Sequence, residues 1–192
     1  VITNIGMAHL EFFKTREGIF QEKSQMIQDM KNGGTIILNG DDDILSGCGP
    51  IKGVAPQFFG IGKKNEFYAD NITSLGLKGT SCTIHLPSGE CFDCTVPLPG
   101  AHMVSNALSG AAVGYNLDLT AGEIKAGIEH LPSIPGRGAI ISTDKLVILD
   151  DCYNANPVSM KASMDVLDLA IGRKVAVLGD MGELGEDASR MH

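Results

Sequence analysis

No run of apolar residues in this sequence reaches the roughly 20 residues that a membrane-spanning helix needs, and the opening residues lack the charged-then-apolar pattern of a signal peptide. A basic excess is missing as well. Fifteen Lys and Arg stand against 23 Asp and Glu, a formal charge of −8, so no basic face is available to neutralise a nucleic-acid backbone. That excludes non-specific binding to DNA or RNA. It does not exclude a single nucleotide, which needs only a local pocket and usually a metal. No G-x-x-x-x-G-K-[ST] loop occurs either, so a phosphate cradle, if the protein has one, is expected upstream of Val1. A disulfide framework is also lacking. The five cysteines (Cys48, Cys82, Cys91, Cys94 and Cys152) are odd in number and irregular in spacing, as reduced cytosolic thiols are.

What remains is an ordinary globular composition, 43% hydrophobic and 20% charged, over 192 residues. That length carries one good-sized core, or one domain and part of another. Val1-Ile2-Thr3-Asn4 reads as a strand already under way, and Ser189-Arg190-Met191-His192 falls inside a helix. The chain is therefore expected to be an excised part of a longer protein.

Periodicity gives an alternation of strands and helices. Val1–Ile5 is a short strand. A helix follows from about Thr15 to Met30, capped by Thr15 and ended by Gly33-Gly34. Its apolar stripe is Ile19, Phe20, Met26, Ile27 and Met30, and Lys23 sits in the middle of that stripe. A lysine there either snorkels to the surface or is a desolvated amine able to act as a nucleophile. Thr35–Leu38 and Gln57–Phe59 are further strands, and Asn39-Gly40-Asp41-Asp42-Asp43 between them reads as a solvated loop. Phe67–Leu77 and a hairpin around Pro87-Ser88-Gly89 form an antiparallel section. Cys82-x-x-His85 and Cys91-x-x-Cys94 look like a zinc site at first. With Ser88-Gly89 as a two-residue loop, however, Cys82 and Cys91 share one face while His85 and Cys94 share the other, and four such ligands cannot surround one ion.

An Ala-, Gly- and Ser-rich helix begins after Gly100. A second runs over Leu119–Leu131, where Thr120 and Glu123 make a capping box. A boundary is expected at about residues 138–145. Beyond it, Leu146-Val147-Ile148-Leu149 reads as a buried strand that delivers Asp150-Asp151-Cys152-Tyr153-Asn154 at its C-terminal end, the edge where ligands bind in open α/β sheets. Asn156 and Pro157 then read as N-cap and first residue of a helix, Pro157–Leu169. A last strand is expected at Val175–Leu178, giving a β-α-β unit whose two loops fall on one edge.

Five segments, in order, carry a resemblance. Thr3-Asn4-Ile5-Gly6-Met7-Ala8-His9-Leu10-Glu11 with Arg16-Glu17-Gly18 and Lys23 is similar to T-N-I-G-x-A-H-L-E…R-E-G-I-x-x-x-K. Gly100–Leu108 is similar to G-x-H-N-x-x-N-A-L, with Met103 in place of the first Asn. Gly136-Arg137 matches a G-R pair. Asp150–Met160 resembles D-D-S-Y-N-A-N-P-x-S-M, with Cys152 where Ser is usual, and Gly179–Glu186 resembles G-D-M-x-E-L-G-E. All five belong to the bacterial ligases that add D-alanyl-D-alanine to UDP-MurNAc-tripeptide, within the Mur ligase superfamily.

The resemblance implies an α/β fold: residues 1–140 as the later part of a central ATP-binding domain, with a mixed sheet, helices and an antiparallel section, and residues 141–192 as the first part of a Rossmann-like C-terminal domain. It implies ATP and magnesium as cofactors, UDP-MurNAc-tripeptide and D-alanyl-D-alanine as substrates, and a monomer in the bacterial cytoplasm. Lys23 is implied as a carbamylated lysine and His9 as its companion metal ligand, the two catalytic candidates. A carbamate supplies the hard oxygens that magnesium prefers. Asn106 is implied at the adenine, Arg137 at the nucleotide and Asp151 at the ribose. Asn4, Tyr153, Asn154 and Asn156 are further candidates, with Asp180 and Glu183 behind them. The chain alone is expected to bind ATP weakly and to catalyse nothing. Sister ligases, folylpolyglutamate synthase and a non-catalytic nucleotide-binding module are the alternatives.

Overall fold

A computed structural model describes residues 1–6, 10–185 and 188–192, Leu10 by its backbone alone. His9, one of the two catalytic candidates, lies outside the described residues. Two sheets organise the rest. The larger has five strands in sequential order: β1 (Ile37–Asn39), β2 (Gln57–Gly60), β3 (Phe67–Ser74), β4 (Thr80–His85) and β5 (Cys91–Val96). β1, β2 and β3 pair in parallel, and β3, β4 and β5 pair antiparallel. The sheet is thus mixed, as expected.

Its two faces are covered by different helices. The period-2 alternation of a strand decides which residue meets which helix. From β1, Ile37 joins Phe59, Phe67, Ile84 and Val96 beneath α3 (Ala101–Asn116) and α4 (Ala121–Glu129). Ile36 and Leu38 point the other way and join Ile2, Ile5, Ile19 and Ile27, which brings in α2 (Arg16–Gln28). Phe59 and Phe67 are fully buried, each stabilising the fold by about 1.5–3 kcal/mol. The small residues of α3 serve close packing. Ala107, Ala111 and Ala112 are buried, and a Cβ on Gly114 would come within 3.0 Å of Ile124 in α4.

The caps fall where the sequence puts them. Thr15 accepts the Gly18 N–H at 3.0 Å. Thr120 and Glu123 form their capping box, and Asn156 caps α5 (Pro157–Asp168) with Pro157 in its first turn.

Five expectations are corrected. Residues 1–5 are not a strand of the sheet; they carry only one parallel bridge, Ile2 to Leu38, because side chains rather than a neighbouring strand bind the backbone that follows. The hairpin loop has three residues, not two. Leu86 and Glu90 close it with Gly89 at φ +88°, so Cys82 faces Cys94 and His85 faces Cys91. One extra loop residue exchanges the partners, yet the four side chains still divide between two faces. In α2, Met26 is 57% exposed and lies off the buried stripe. Finally, the second sheet is a two-stranded antiparallel ribbon, β6 (Ala139–Ser142) with β7 (Val147–Asp150). With one neighbour strand, β7 leaves Val147 and Ile148 exposed rather than buried. Among the described residues, 175–178 pair with no strand and form none, so the expected β-α-β unit is not completed there. Two short helices complete the described elements, α1 (Leu10–Phe13) before α2 and α6 (Ala188–Met191) near the C-terminal end.

Candidate functional site

The site candidates fall into two groups. The first gathers around the run Thr3-Asn4-Ile5. Lys23 leaves the inner face of α2, between the buried Ile19 and Ile27, and its Nζ donates to the Asn4 carbonyl at 3.0 Å. The side chain therefore neither snorkels freely nor sits in an apolar pocket; it is anchored on the backbone of another candidate. Among the described residues the Asn4 side chain makes no hydrogen bond of its own and is exposed.

The neighbours of Asn4 are held as well. Asn39 Nδ2 donates to the Thr3 carbonyl at 2.9 Å, and Arg16 Nε donates to the Ile5 carbonyl at 2.8 Å. The Ile5 N–H donates to Asp42 Oδ2 at 2.7 Å. Asp42 also accepts the Ile44 and Leu45 N–H groups at 3.0 Å each, and Arg16 grips Asp43 with both terminal nitrogens. That pairing holds the Asp43 carboxyl below the usual aspartate range. The acidic loop expected to be solvated is thus only partly so: the Asp42 side chain is 8% exposed, against 71% for Asp43.

The second group surrounds the loop after β7. Gly136 N–H donates to Asp150 at 3.0 Å, and Tyr153 N–H donates back to the Gly136 carbonyl at 3.1 Å. These two bonds bring the Gly136-Arg137 turn against the loop, and the Arg137 guanidinium lies 3.7 Å from the centre of the Tyr153 ring. The Cys152 thiol and the Gly136 amide hold the Asp150 carboxyl below its usual range, and Asp150 in turn pushes the Cys152 thiol up. Asp151 accepts a hydrogen bond from Ser163 on α5. The Asn156 amide oxygen is engaged by the Val158 and Ser159 N–H groups, so its capping role is structural and only its NH₂ faces outward chemistry. Asn154 binds the Ala155 N–H.

Asn106 is exposed on α3 and contacts Met103, its Nδ2 lying 3.5 Å from Sδ. The start of the same helix presses toward α5: a Cβ on Gly100 would meet Val166 at 3.0 Å, and His102 lies within electrostatic reach of Asp151 and Asp165. The loop bearing Asp180 and Glu183 comes to α1, where the Glu11 N–H donates to the Glu183 carbonyl at 3.3 Å. Both side chains are exposed.

The structure thus brings Lys23 to Asn4, and Arg137 to Tyr153 beside Asp151. The sequence reading gave no role to Arg16, Asn39 or Asp42; Arg16 was seen only as part of the R-E-G match two helical turns before Lys23, and Asn39 and Asp42 only as members of a solvated loop. Among the described residues no three His, Cys, Asp or Glu side chains cluster to hold a metal. As an ammonium, Lys23 repels a cation; as a carbamate, beside the amide of Asn4, it offers the oxygen donors that suit magnesium.

The chain matches two families of known proteins: Mur ligase middle domain over residues 1–114, and Mur ligase, glutamate ligase domain over residues 136–192. It is 34% identical over 195 residues to the UDP-N-acetylmuramoyl-tripeptide--D-alanyl-D-alanine ligase of Escherichia coli (strain K12), across 100% of this chain and 43% of that protein. Among solved structures, MurF from Acinetobacter baumannii is similar with a TM-score of 0.91 and 32% identity, over 98% of this chain and 41% of that one. MurF ligase from Thermotoga maritima, in complex with ADP, gives 0.85 and 26%, over 99% and 44%. The chain spans less than half the length of these relatives.

Proposed function

The chain belongs to the Mur ligase family, and on that premise we propose that the protein carrying it joins D-alanyl-D-alanine to UDP-MurNAc-tripeptide at the expense of ATP, a step in making peptidoglycan precursor in the bacterial cytoplasm. The observation that supports this most is the match along the whole chain to a ligase of that name at 34% identity. No helix among the described residues is long and apolar enough to cross a membrane, and we take the protein to be a monomer. We place the boundary between its ATP-binding and C-terminal domains near residue 140.

In the reaction, the γ-phosphoryl group of ATP passes to the free carboxylate of the tripeptide. The amine of D-alanyl-D-alanine then attacks the acyl-phosphate carbonyl, a new amide forms, and phosphate leaves. Each part of the site has a job in that sequence. Arg137, its guanidinium carbon over the Tyr153 ring, keeps N–H donors that can reach a nucleotide. Asp151 offers carboxylate oxygens to ribose hydroxyls, and Asn106 an exposed amide that can both donate to and accept from a base edge. Lys23 as its carbamate, with Asn4 and His9, would hold magnesium, which when bound offsets the negative charge that develops on the transferred phosphoryl group.

The test uses the complete protein. Phosphate release is followed with ATP, magnesium and UDP-MurNAc-tripeptide, with and without D-alanyl-D-alanine, and again in Lys23→Ala. Release that needs the dipeptide and collapses in the variant is expected. Release that needs a different acceptor would move the protein to a sister ligase, and no release with any acceptor would refute the ligase reading.

A further inference from the structure

Three consecutive carbonyls, those of Thr3, Asn4 and Ile5, each accept a hydrogen bond from a side chain: Asn39, Lys23 and Arg16 respectively. Among the described residues the one amide bound in the same run, that of Ile5, donates to a fourth side chain, Asp42. In a sheet, neighbouring backbone would satisfy these groups; here only Ile2 bridges to β1. Fixing a backbone with long side chains costs rotamer entropy that a strand partner would not. In return it ties the run to two elements at once. Arg16 and Lys23 stand seven residues apart on α2, two helical turns, and so leave one face of it. Asn39 and Asp42 come from the end of β1 and the loop behind it.

We propose that Arg16, Asn39 and Asp42 are positioning residues that set the Asn4 carbonyl as the anchor of a carbamylated Lys23. The proposal rests on the ligase reading above, and it assigns to this clamp the orientation of the modified side chain. Carbamylation begins with loss of a proton from the Lys23 ammonium to solvent. The amine lone pair then bonds to the carbon of dissolved CO₂, and a second proton leaves, giving an –NH–COO⁻ group. One N–H survives. The carbonyl 3.0 Å from Nζ is placed to accept it, which fixes the rotation of the planar carbamate and hence where its two oxygens point. Asn4 cannot move without moving Thr3 and Ile5, and both of those are gripped. The clamp therefore acts on the chemistry only through Lys23 and touches no substrate.

Arg16→Met removes the donors and keeps an apolar stem as far as the position of Nε. Asn39→Asp keeps an oxygen that accepts the Asp41 N–H and replaces the donor to Thr3 by a carboxylate oxygen that repels the carbonyl. Neither change lies in the core. In the complete protein supplied with ¹³C-bicarbonate, both variants are expected to weaken the carbamate carbon resonance. They should also raise the magnesium concentration needed for half-maximal phosphate release by roughly 10–100-fold, the range for partners that orient a metal ligand. The KM for ATP should not change, and Arg16→Lys, which can still donate to the Ile5 carbonyl, should recover part of the loss. Folded variants with a wild-type resonance and wild-type magnesium dependence would overturn the proposal. So would a parallel rise in the KM for ATP, which marks general loosening. An active wild-type protein with no carbamate resonance would overturn it while the ligase reading stands. If no acceptor supports turnover, the ligase reading falls, and the resonance in wild type against the variants decides the clamp by itself.

Discussion

Asp41, Asp42 and Asp43 look alike in the sequence, but the structure expects them to behave very differently, and Asp42→Ala is the sharpest test. One Asp42 oxygen accepts the Ile5 N–H at 2.7 Å, and the other accepts the Ile44 and Leu45 N–H groups at 3.0 Å each. The side chain is 8% exposed and its donors Ile5 and Leu45 are buried, so water replaces it poorly. Bonds to a charged partner contribute about 1.5–3 kcal/mol each; relaxation of the turn offsets part of the sum, and the net loss is about 2–4 kcal/mol. For a chain of this size that lowers the melting midpoint by roughly 5–15 °C. Asp43→Ala breaks a two-pronged pair with Arg16, but at 71% exposure solvent screens it, and the midpoint should hardly move. Asp42→Asn keeps an acceptor for the turn but turns an NH₂ toward the Ile5 N–H, so it should fall between the two. Thermal and urea unfolding followed by far-UV circular dichroism would rank the three variants. If Asp43→Ala proves as damaging as Asp42→Ala, or if Asp42→Ala melts with wild type, the assignment of Asp42 as a backbone clamp is wrong.

Three further outcomes are expected. Thr120→Ala removes the capping box of α4 and should cost about 1 kcal/mol in a urea titration, whereas Thr120→Ser should stay close to wild type. Asp150 raises the Cys152 thiol, so less of it is thiolate at a given pH; Asp150→Asn should speed alkylation of Cys152, read by mass spectrometry of its peptide, and an unchanged rate would contradict the pairing. Asp43, Asp150 and Asp168 have carboxyls held below their ordinary value of 3.8 in the folded chain. The stability they contribute is fully present above that value and is lost as pH falls through the lower folded values. These carboxyls should thus make the urea midpoint drop below about pH 4, after a separate, earlier decline as pH falls through 6.5, where the unfolded chain protonates His102 and the folded chain, by burying it, resists; a midpoint level down to about pH 3 would contradict the carboxyl assignments.

What could be read from the sequence was what is settled locally. The caps at Thr15, Thr120 and Asn156 need partners two or three residues away, and all three form. Lys23 stood out because it interrupts an apolar stripe, an anomaly visible without any fold. Long-range pairing was not legible. Val1–Ile5 is β-branched enough for a strand, but its backbone is bound by side chains as far as 37 residues away, and nothing local announces that. The hairpin turned on one residue: a loop of two pairs Cys82 on one side of the sheet with Cys91, whereas the observed loop of three places it opposite Cys94. Ala139–Ser142 was missed since four residues after a Gly-flanked arginine carry too little pattern for a strand; pairing with β7 makes it one. The same β7 was wrongly buried because its apolar run implies neighbours on both sides, and it has only β6.

The two groups of the candidate site differ in what holds them, and the difference bears on how each could work. Lys23 inherits its position from the core: Ile19 and Ile27, four residues before and after it, are 3% and 6% exposed, so α2 cannot rotate the lysine away without opening the apolar layer beneath. Its anchor, the Asn4 carbonyl, is gripped from both sides. Arg137 and Tyr153 have no such backing. Two backbone bonds at Gly136 align them, Tyr153 is 69% exposed, and a cation–π contact at an exposed site contributes only about 0.5–1 kcal/mol. Charge stabilisation at a reacting phosphoryl group depends on oxygens that do not have to reorganise, which is what Lys23 would offer as the proposed carbamate. Holding a nucleotide asks for something softer, since the base and ribose must enter and ADP must leave. A loosely stacked arginine and tyrosine can open for that at small cost, and the stiff group need not move when they do.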